Sequence, residues 1–95
     1  MTLRIPYSIR LHKRARKGLA KLPPTRRNKA RQFINTQLRF SPQQPISGKT
    51  KRLTGPLTGI YQYHLSHSER IWWRVNTAEH IVYVLYIGPH PKSTE

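Results

Sequence analysis

GIYQYHLSHSERIWWRVNTAEHIVYVLYIG, residues 59–88, is the stretch that decides the fold. Its apolar residues recur every second position. Tyr61, Tyr63 and Leu65 share one face of a strand, and Ile60, Gln62 and His64 share the other. His67-Ser68 makes a hairpin turn. Ile71, Trp73 and Val75 then alternate against Arg70, Trp72 and Arg74 over residues 70–76. Thr77-Ala78 makes a second turn. Residues 81–87 are an unbroken β-branched and aromatic run, which predicts a central strand buried on both faces and stopped by Gly88. Pro89-His90-Pro91 predicts a stiff extended tail.

Working upstream, residues 41–59 are rich in Pro, Gly, Ser and Thr and read as a connection. Before it the period changes to that of a helix. Leu11, Ala15, Leu19 and Leu22 predict a helix over residues 9–22, with Ser8 as its N-cap. Pro23-Pro24 ends it, because neither proline continues the hydrogen-bond ladder. Thr25 caps a second helix through about Phe40, with Ala30, Phe33, Ile34 and Leu38 as its apolar stripe and Arg26, Arg27, Lys29, Arg31 and Arg39 on its outer face. A turn this short predicts an antiparallel helix hairpin. Leu3, Ile5 and Tyr7 alternate ahead of it as a short edge strand. The expected fold is α+β, in the order β-α-α-β-β-β. The helix hairpin packs on one face of a small, mostly antiparallel sheet, in a single domain spanning residues 1–95.

The charge is as uneven as the pattern. Lys and Arg number 18 against three acids, a net +15 in 95 residues. Fifteen of the cations lie between Arg4 and Arg52, with no Asp or Glu among them. Glu69, Glu79 and Glu95 all fall in the second half. Such a chain expects a polyanion or an acidic protein as partner. The absence of cysteine excludes a disulfide scaffold and thiol catalysis. The spacing of the five histidines matches no metal motif, so no metal or cofactor is expected. No apolar run approaches the roughly 18 residues of a membrane span, and charges interrupt any signal-peptide core. A soluble, cytoplasmic protein without a membrane partner is the expectation.

The hairpin can cover only one sheet face. The face of Tyr61, Tyr63, Leu65, Ile71, Trp73 and Val75 is the more apolar and is expected beneath it. Gln62, His64, Arg70, Trp72 and Arg74 are then expected toward solvent. Across the turn His64 and Arg70 come close together. His90 follows the last strand, near the same face. Two histidines, an arginine and a tryptophan suit RNA cleavage. That chemistry needs a base for the 2′-OH, a cation for the charge on phosphorus and an acid for the leaving 5′-oxygen. Trp72 offers a stacking surface. Lys49, Lys51 and Arg52 are candidate phosphate contacts, together with Gln62 and Arg74.

Leu19-Ala20-Lys21-Leu22-Pro23, Lys51-Arg52-Leu53-Thr54-Gly55, Gly59-Ile60-Tyr61, Ser68-Glu69-Arg70-Ile71-Trp72-Trp73 and Tyr86-Ile87-Gly88 resemble, in order and spacing, the RelE/ParE superfamily of toxin–antitoxin toxins. The resemblance covers residues 3–90. It implies the toxin of a type II toxin–antitoxin system. The RelE-like branch is an mRNA interferase, an endoribonuclease that cuts translated mRNA in the ribosomal A site without metal and so inhibits translation. The resemblance implies a small acidic antitoxin as partner, a heterotetramer being one assembly with it, and the ribosome as target. It places catalytic groups at Gln62, His64, Arg70 and His90, with Glu69 as a further acidic candidate. Arg70 matches the family arginine. Gln62 and His64 stand where RelE itself has lysines, and His90 matches the terminal histidine of YafQ and YoeB types. The C-terminal tyrosine of RelE has no match. A ParE-like gyrase poison, or a ribosome- or RNA-binding protein without cleavage, are the alternative readings.

Overall fold

The computed structural model describes residues 5–89. His90 and the remainder of the expected tail lie outside them, as do residues 1–4, which include Leu3 and Arg4 of the expected first strand. Two helices pack on one side of a five-stranded sheet of order β1-β5-β4-β3-β2. Its strands are β1 (Ser8–Leu11), β2 (Thr50–Arg52), β3 (Tyr61–His64), β4 (Glu69–Asn76) and β5 (Ile81–Pro89). The helices are α1 (Lys13–Lys21) and α2 (Pro24–Phe33), the latter continuing through a π-helical turn, Ile34–Leu38. β1 runs parallel to β5, and every other pairing is antiparallel. No helix among the described residues is long and apolar enough to cross a membrane.

The face assignment made from period-two alternation holds. Tyr63, Leu65, Ile71 and Trp73 are buried in one cluster with Ala15, Leu19, Leu22, Ala30, Phe33, Ile34 and Leu38 of the helical segments, while Tyr61 and Val75 pack at its margin. Phe33 stacks on Tyr63 at 3.8 Å between centroids and meets Trp73 edge-on at 5.6 Å, so three aromatic rings join α2 to the sheet. The Trp73 indole N–H donates to the Pro42 carbonyl at 3.0 Å, which fixes the chain leaving α2.

Several boundaries differ from the sequence reading. The first strand is Ser8–Leu11, and Ser8 is therefore not a helix cap. Ile9 and Leu11 also alternate, and pairing with β5 rewards that alternation. His12 caps α1 instead, its Nδ1 accepting from the Arg14 amide at 3.2 Å. α2 opens at Pro24 with Pro23 at the cap position, so Thr25 lies inside the helix and is not its cap; a proline at N1 lacks only an N–H the helix would not use. The connection contains a strand, β2, that no apolar pattern announced. β5 is an interior strand rather than the central one, and β4 holds the centre. On β5 only Val82, Val84, Ile87 and Gly88 are buried, so the run is not sealed on both faces. Nor does Gly88 stop it, since Pro89 still pairs with Glu69.

α1 lies close against β5 because residue 18 is glycine. A Cβ there would sit 1.6 Å from the Ile87 carbonyl oxygen and 2.7 Å from its carbon. The approach lets Ala15 be fully buried and Leu19 nearly so.

Candidate active site

The strand register defines the face that the helices leave uncovered. His64 of β3 lies opposite Arg70 of β4, and Arg70 lies opposite Gly88 of β5. One step along, Lys51, Gln62, Trp72 and Tyr86 form a second row. Arg74 pairs with Tyr83 and is exposed, and Tyr83 in turn pairs with Arg10. The face is thus basic and aromatic, as the alternation predicted.

Two of its expected members are not solvent-facing. Gln62 is 1% exposed and Trp72 9%. The Trp72 indole N–H donates to Gln62 Oε1 at 2.8 Å, and Tyr86 leans over the indole at 5.8 Å between centroids. Trp72 and Ile60 are buried outside the main core cluster, so the open face carries a small apolar layer of its own. An indole hydrogen-bonded and covered in this way is not a free stacking platform. Alternation assigns a face; it does not tell whether neighbours on that face close over one another.

Arg70 is anchored. Its Nη1 donates to the carbonyls of Ser66, His67 and Glu69 at 3.1, 3.2 and 3.1 Å, wrapping the guanidinium onto the β3–β4 turn. Its Nε is buried with no hydrogen-bond partner. These three bonds fix the guanidinium in one place on the turn. On the β5 side of Arg70, Gly88 contributes no side chain. Its φ of 153° is one that L side chains rarely adopt, and a Cβ would come within 3.0 Å of the Tyr86 hydroxyl.

His64 is half-buried, and its amide donates to the Lys49 carbonyl at 2.8 Å. That bond carries the β2–β3 ladder past β2 and sets Lys49 beside His64, with Lys51 one step along. Arg52 turns to the helix side and lies over the Tyr61 ring at 5.3 Å. With Lys51, Tyr61, Trp73 and Thr50 it lines a cavity of about 310 Å³ at the sheet's edge.

Glu69 is occupied. It is 9% exposed, ion-paired with Arg26 of α2, and accepts from the Ser66 hydroxyl at 2.9 Å. Its carboxylate binds the second helix to the start of β4. Other cations expected on the outer helix face are also used inside the molecule. Lys29 Nζ donates to the Leu65 carbonyl at 2.9 Å, and Arg27 Nη2 donates to Leu22 and Ala20 carbonyls at 3.0 and 3.3 Å. Sequence spacing gave no sign of the long-range partners, Glu69 for Arg26 and Leu65 for Lys29.

His80 has left-handed backbone, with φ of 59°, stacks on Tyr7 at 3.7 Å and bonds the Ile5 carbonyl at 2.7 Å. It is a structural residue at the β4–β5 turn. Burial raises the Tyr63 hydroxyl above its ordinary 10.0, so that phenol stays protonated and serves packing. No group of three or more His, Asp or Glu residues among the described residues is arranged to hold a metal ion.

No protein-family model and no curated protein sequence matches this chain. Solved structures do match in fold. The RelBE2 toxin–antitoxin complex of Mycobacterium tuberculosis contains a chain 24% identical, with a TM-score of 0.74 over 90% of this chain and 100% of that one. The YoeB/ParE toxin of Agrobacterium tumefaciens is 16% identical, with a TM-score of 0.76 over 88% of this chain and 99% of its own. A chain of the intact RelBE toxin–antitoxin complex of E. coli is 21% identical, with a TM-score of 0.68 over 90% and 99%. Two helices on one side of a β1-β5-β4-β3-β2 sheet, matched over nearly the whole length of these three chains, give this chain the fold that they share.

Proposed function

We propose that this chain is the toxin of a type II toxin–antitoxin pair and acts as a ribosome-dependent endoribonuclease, neutralised by a small acidic antitoxin. The observation that carries the reading is the row His64–Arg70–Gly88 across three strands of the uncovered face. It sets a residue able to move protons near neutral pH beside an anchored cation and a position without a side chain. The fold likeness and the net charge of +15 support it.

In the proposed reaction the 2′-oxygen attacks phosphorus and the bond to the 5′-oxygen breaks. One proton leaves the 2′-hydroxyl and one reaches the departing 5′-oxygen, giving a 2′,3′-cyclic phosphate and a 5′-hydroxyl end. His64 and His90 share the two proton transfers, and Arg70 stabilises the charge that builds on phosphorus. Lys49, Lys51 and Arg74 hold flanking phosphates. Trp72 and Gln62 shape the floor from within rather than touching bases, and Glu69 holds the turn.

A docking protein without cleavage is the second reading, favoured by the carbonyl bonds that already engage Arg70. Induction of the chain followed by mapping of mRNA 5′ ends separates the two. Cuts within translated messages, lost in folded Arg70→Ala and His64→Ala variants, are expected. Intact messages, or variants that cut as well as the parent, would remove the nuclease reading. DNA breaks without mRNA cuts would point to a gyrase poison.

A further inference from the structure

The cavity of about 310 Å³ at the β2 edge lies on the helix side of the sheet, between that strand and the loop of residues 43–45. Its inner wall is aromatic. Tyr61 and Trp73 stack there at 5.6 Å between centroids and 13° between planes, and the Arg52 guanidinium lies over the Tyr61 ring at 5.3 Å. The Trp73 indole N–H is already bonded to the Pro42 carbonyl, so toward the cavity this ring offers an apolar surface only. The loop wall is held in place without a guest. Gln37 Nε2 donates to the Ser41 and Gln44 carbonyls at 2.8 and 2.9 Å, and the Ile46 amide donates to Thr50 Oγ1 of β2 at 2.9 Å. A cavity formed in advance loses little freedom on filling.

The lining narrows the occupant. The volume is at the small end of the range for ligand pockets, roughly 300–1,000 Å³, which suits one ring system with a short attachment. Stacked rings beside a guanidinium plane favour a flat aromatic guest. Exposed Gln43 and Gln44 bring side-chain amides, each both donor and acceptor, which a purely aliphatic guest would leave unmatched. No lining residue is acidic, and exposed Lys51 and Arg52 favour an anion. An arginine stacked on a ring keeps its in-plane N–H groups available for a phosphate. A nucleotide meets all of these at once, with a flat base, polar groups on its edge and a phosphate attached.

We propose that this cavity binds a single nucleotide. The base lies against Tyr61 and Trp73 with its edge at Gln43 and Gln44, and the phosphate meets Arg52 and Lys51. The nucleotide is either free or one unit of a single-stranded RNA. Tyr61 and Trp73 lie on the sheet face opposite His64 and Arg70, so the inference goes beyond the cleavage reading and does not rest on it.

The two tryptophans report opposite faces, Trp73 beside the cavity and Trp72 on the uncovered side, each with its indole N–H in a defined bond. Magnetic resonance of these indole N–H groups in the whole chain tests the proposal. The probes are the 5′-monophosphates of adenosine, guanosine, cytidine and uridine, the parent nucleosides, inorganic phosphate, and a short single-stranded RNA of mixed sequence. At least one monophosphate shifts Trp73 saturably and leaves Trp72 in place. Its nucleoside does so roughly tenfold more weakly, and inorganic phosphate does not shift Trp73. Arg52→Gln weakens the monophosphate roughly tenfold. Gln43→Ala, in an exposed loop, weakens nucleoside and monophosphate alike, which keeps the test decisive if the arginine variant disturbs β2. A Trp73 shift caused by the RNA and by no monophosphate assigns the site to a nucleotide within a strand; a shift caused by both assigns it to free nucleotides as well. A Trp73 signal that no nucleotide moves, an equal shift under inorganic phosphate, or shifts unchanged in both variants would overturn the proposal. None of these outcomes depends on mRNA cleavage, so the two readings fail separately.

Discussion

Replacing Gly18 with alanine sets two effects of opposite sign against each other. In an isolated helix alanine is favoured over glycine by about 1 kcal/mol. Here the added Cβ would lie 1.6 Å from the Ile87 carbonyl oxygen. An ordinary carbon–oxygen contact is about 3.3 Å, so α1 or β5 must retreat by roughly 1.7 Å. Flexible side chains can yield to such a demand; the backbone of β5, paired at Ile87 with Ile71 of β4, cannot do so cheaply. Overpacking costs about 1–3 kcal/mol in general, and this contact belongs at or beyond the upper end. Retreat would also loosen Ala15 and Leu19, which are buried by the close approach. After the helix gain is subtracted, a net loss of about 2 kcal/mol remains. For a chain of 95 residues that lowers Tm by roughly 8–16 °C. Urea and thermal unfolding followed by tryptophan fluorescence measure it. Ala20→Gly, at an exposed position of the same helix, is the companion variant and costs about 1 kcal/mol through propensity alone. If Gly18→Ala leaves Tm unchanged or raises it, helix propensity governs the site and the close packing of α1 on β5 is refuted.

The Trp72–Gln62 bond is tested by a double-mutant cycle. Trp72→Phe strands the Gln62 carbonyl in a buried place, Gln62→Leu strands the indole N–H, and each costs about 1–3 kcal/mol, whereas the double variant loses clearly less than their sum; additive losses would show that the bond contributes nothing. Burial raises Tyr63 above 10.0, so its contribution to stability is whole below pH 10 and is lost as pH rises through the folded value. Denaturant titrations at increasing alkaline pH should therefore show a decline that Tyr63→Phe reduces, and equal declines in both proteins would contradict it. Glu69→Gln weakens the tie to half-exposed Arg26 and should lower stability by about 1 kcal/mol while mRNA cleavage persists. Loss of cleavage in the folded variant would give Glu69 a chemical role instead.

How far the sequence could be read is clearest on β3 and β4. Tyr61, Tyr63, Ile71 and Trp73 declared their face by spacing alone, because a strand alternates its side chains whatever lies above it. The same rule put His64 next to Arg70. It failed for Gln62 and Trp72, assigned to the right face but expected in solvent, since closure by Tyr86 and by their own hydrogen bond depends on side-chain reach across strands. β2 was missed because Thr50, Lys51 and Arg52 contain no apolar alternation; they pair for their backbone groups. β1 was placed too early because Ile9 and Leu11 fit a strand and a helix equally well until β5 supplies the partner.

The sequence by itself determined the layers, the buried stripe and the basic character, since each follows from the spacing of side chains along a local period. Only the tertiary structure decided how the cations divide. Arg26, Arg27 and Lys29 look alike in sequence to Arg31 and Arg39, yet the first three are spent on Glu69 and on carbonyls of Leu22, Ala20 and Leu65, while the last two line a cavity beside β1. A charged side chain takes its role from what the fold brings within 3 Å or so of its tip, and for Arg26 and Lys29 that partner comes from a segment far away in the chain.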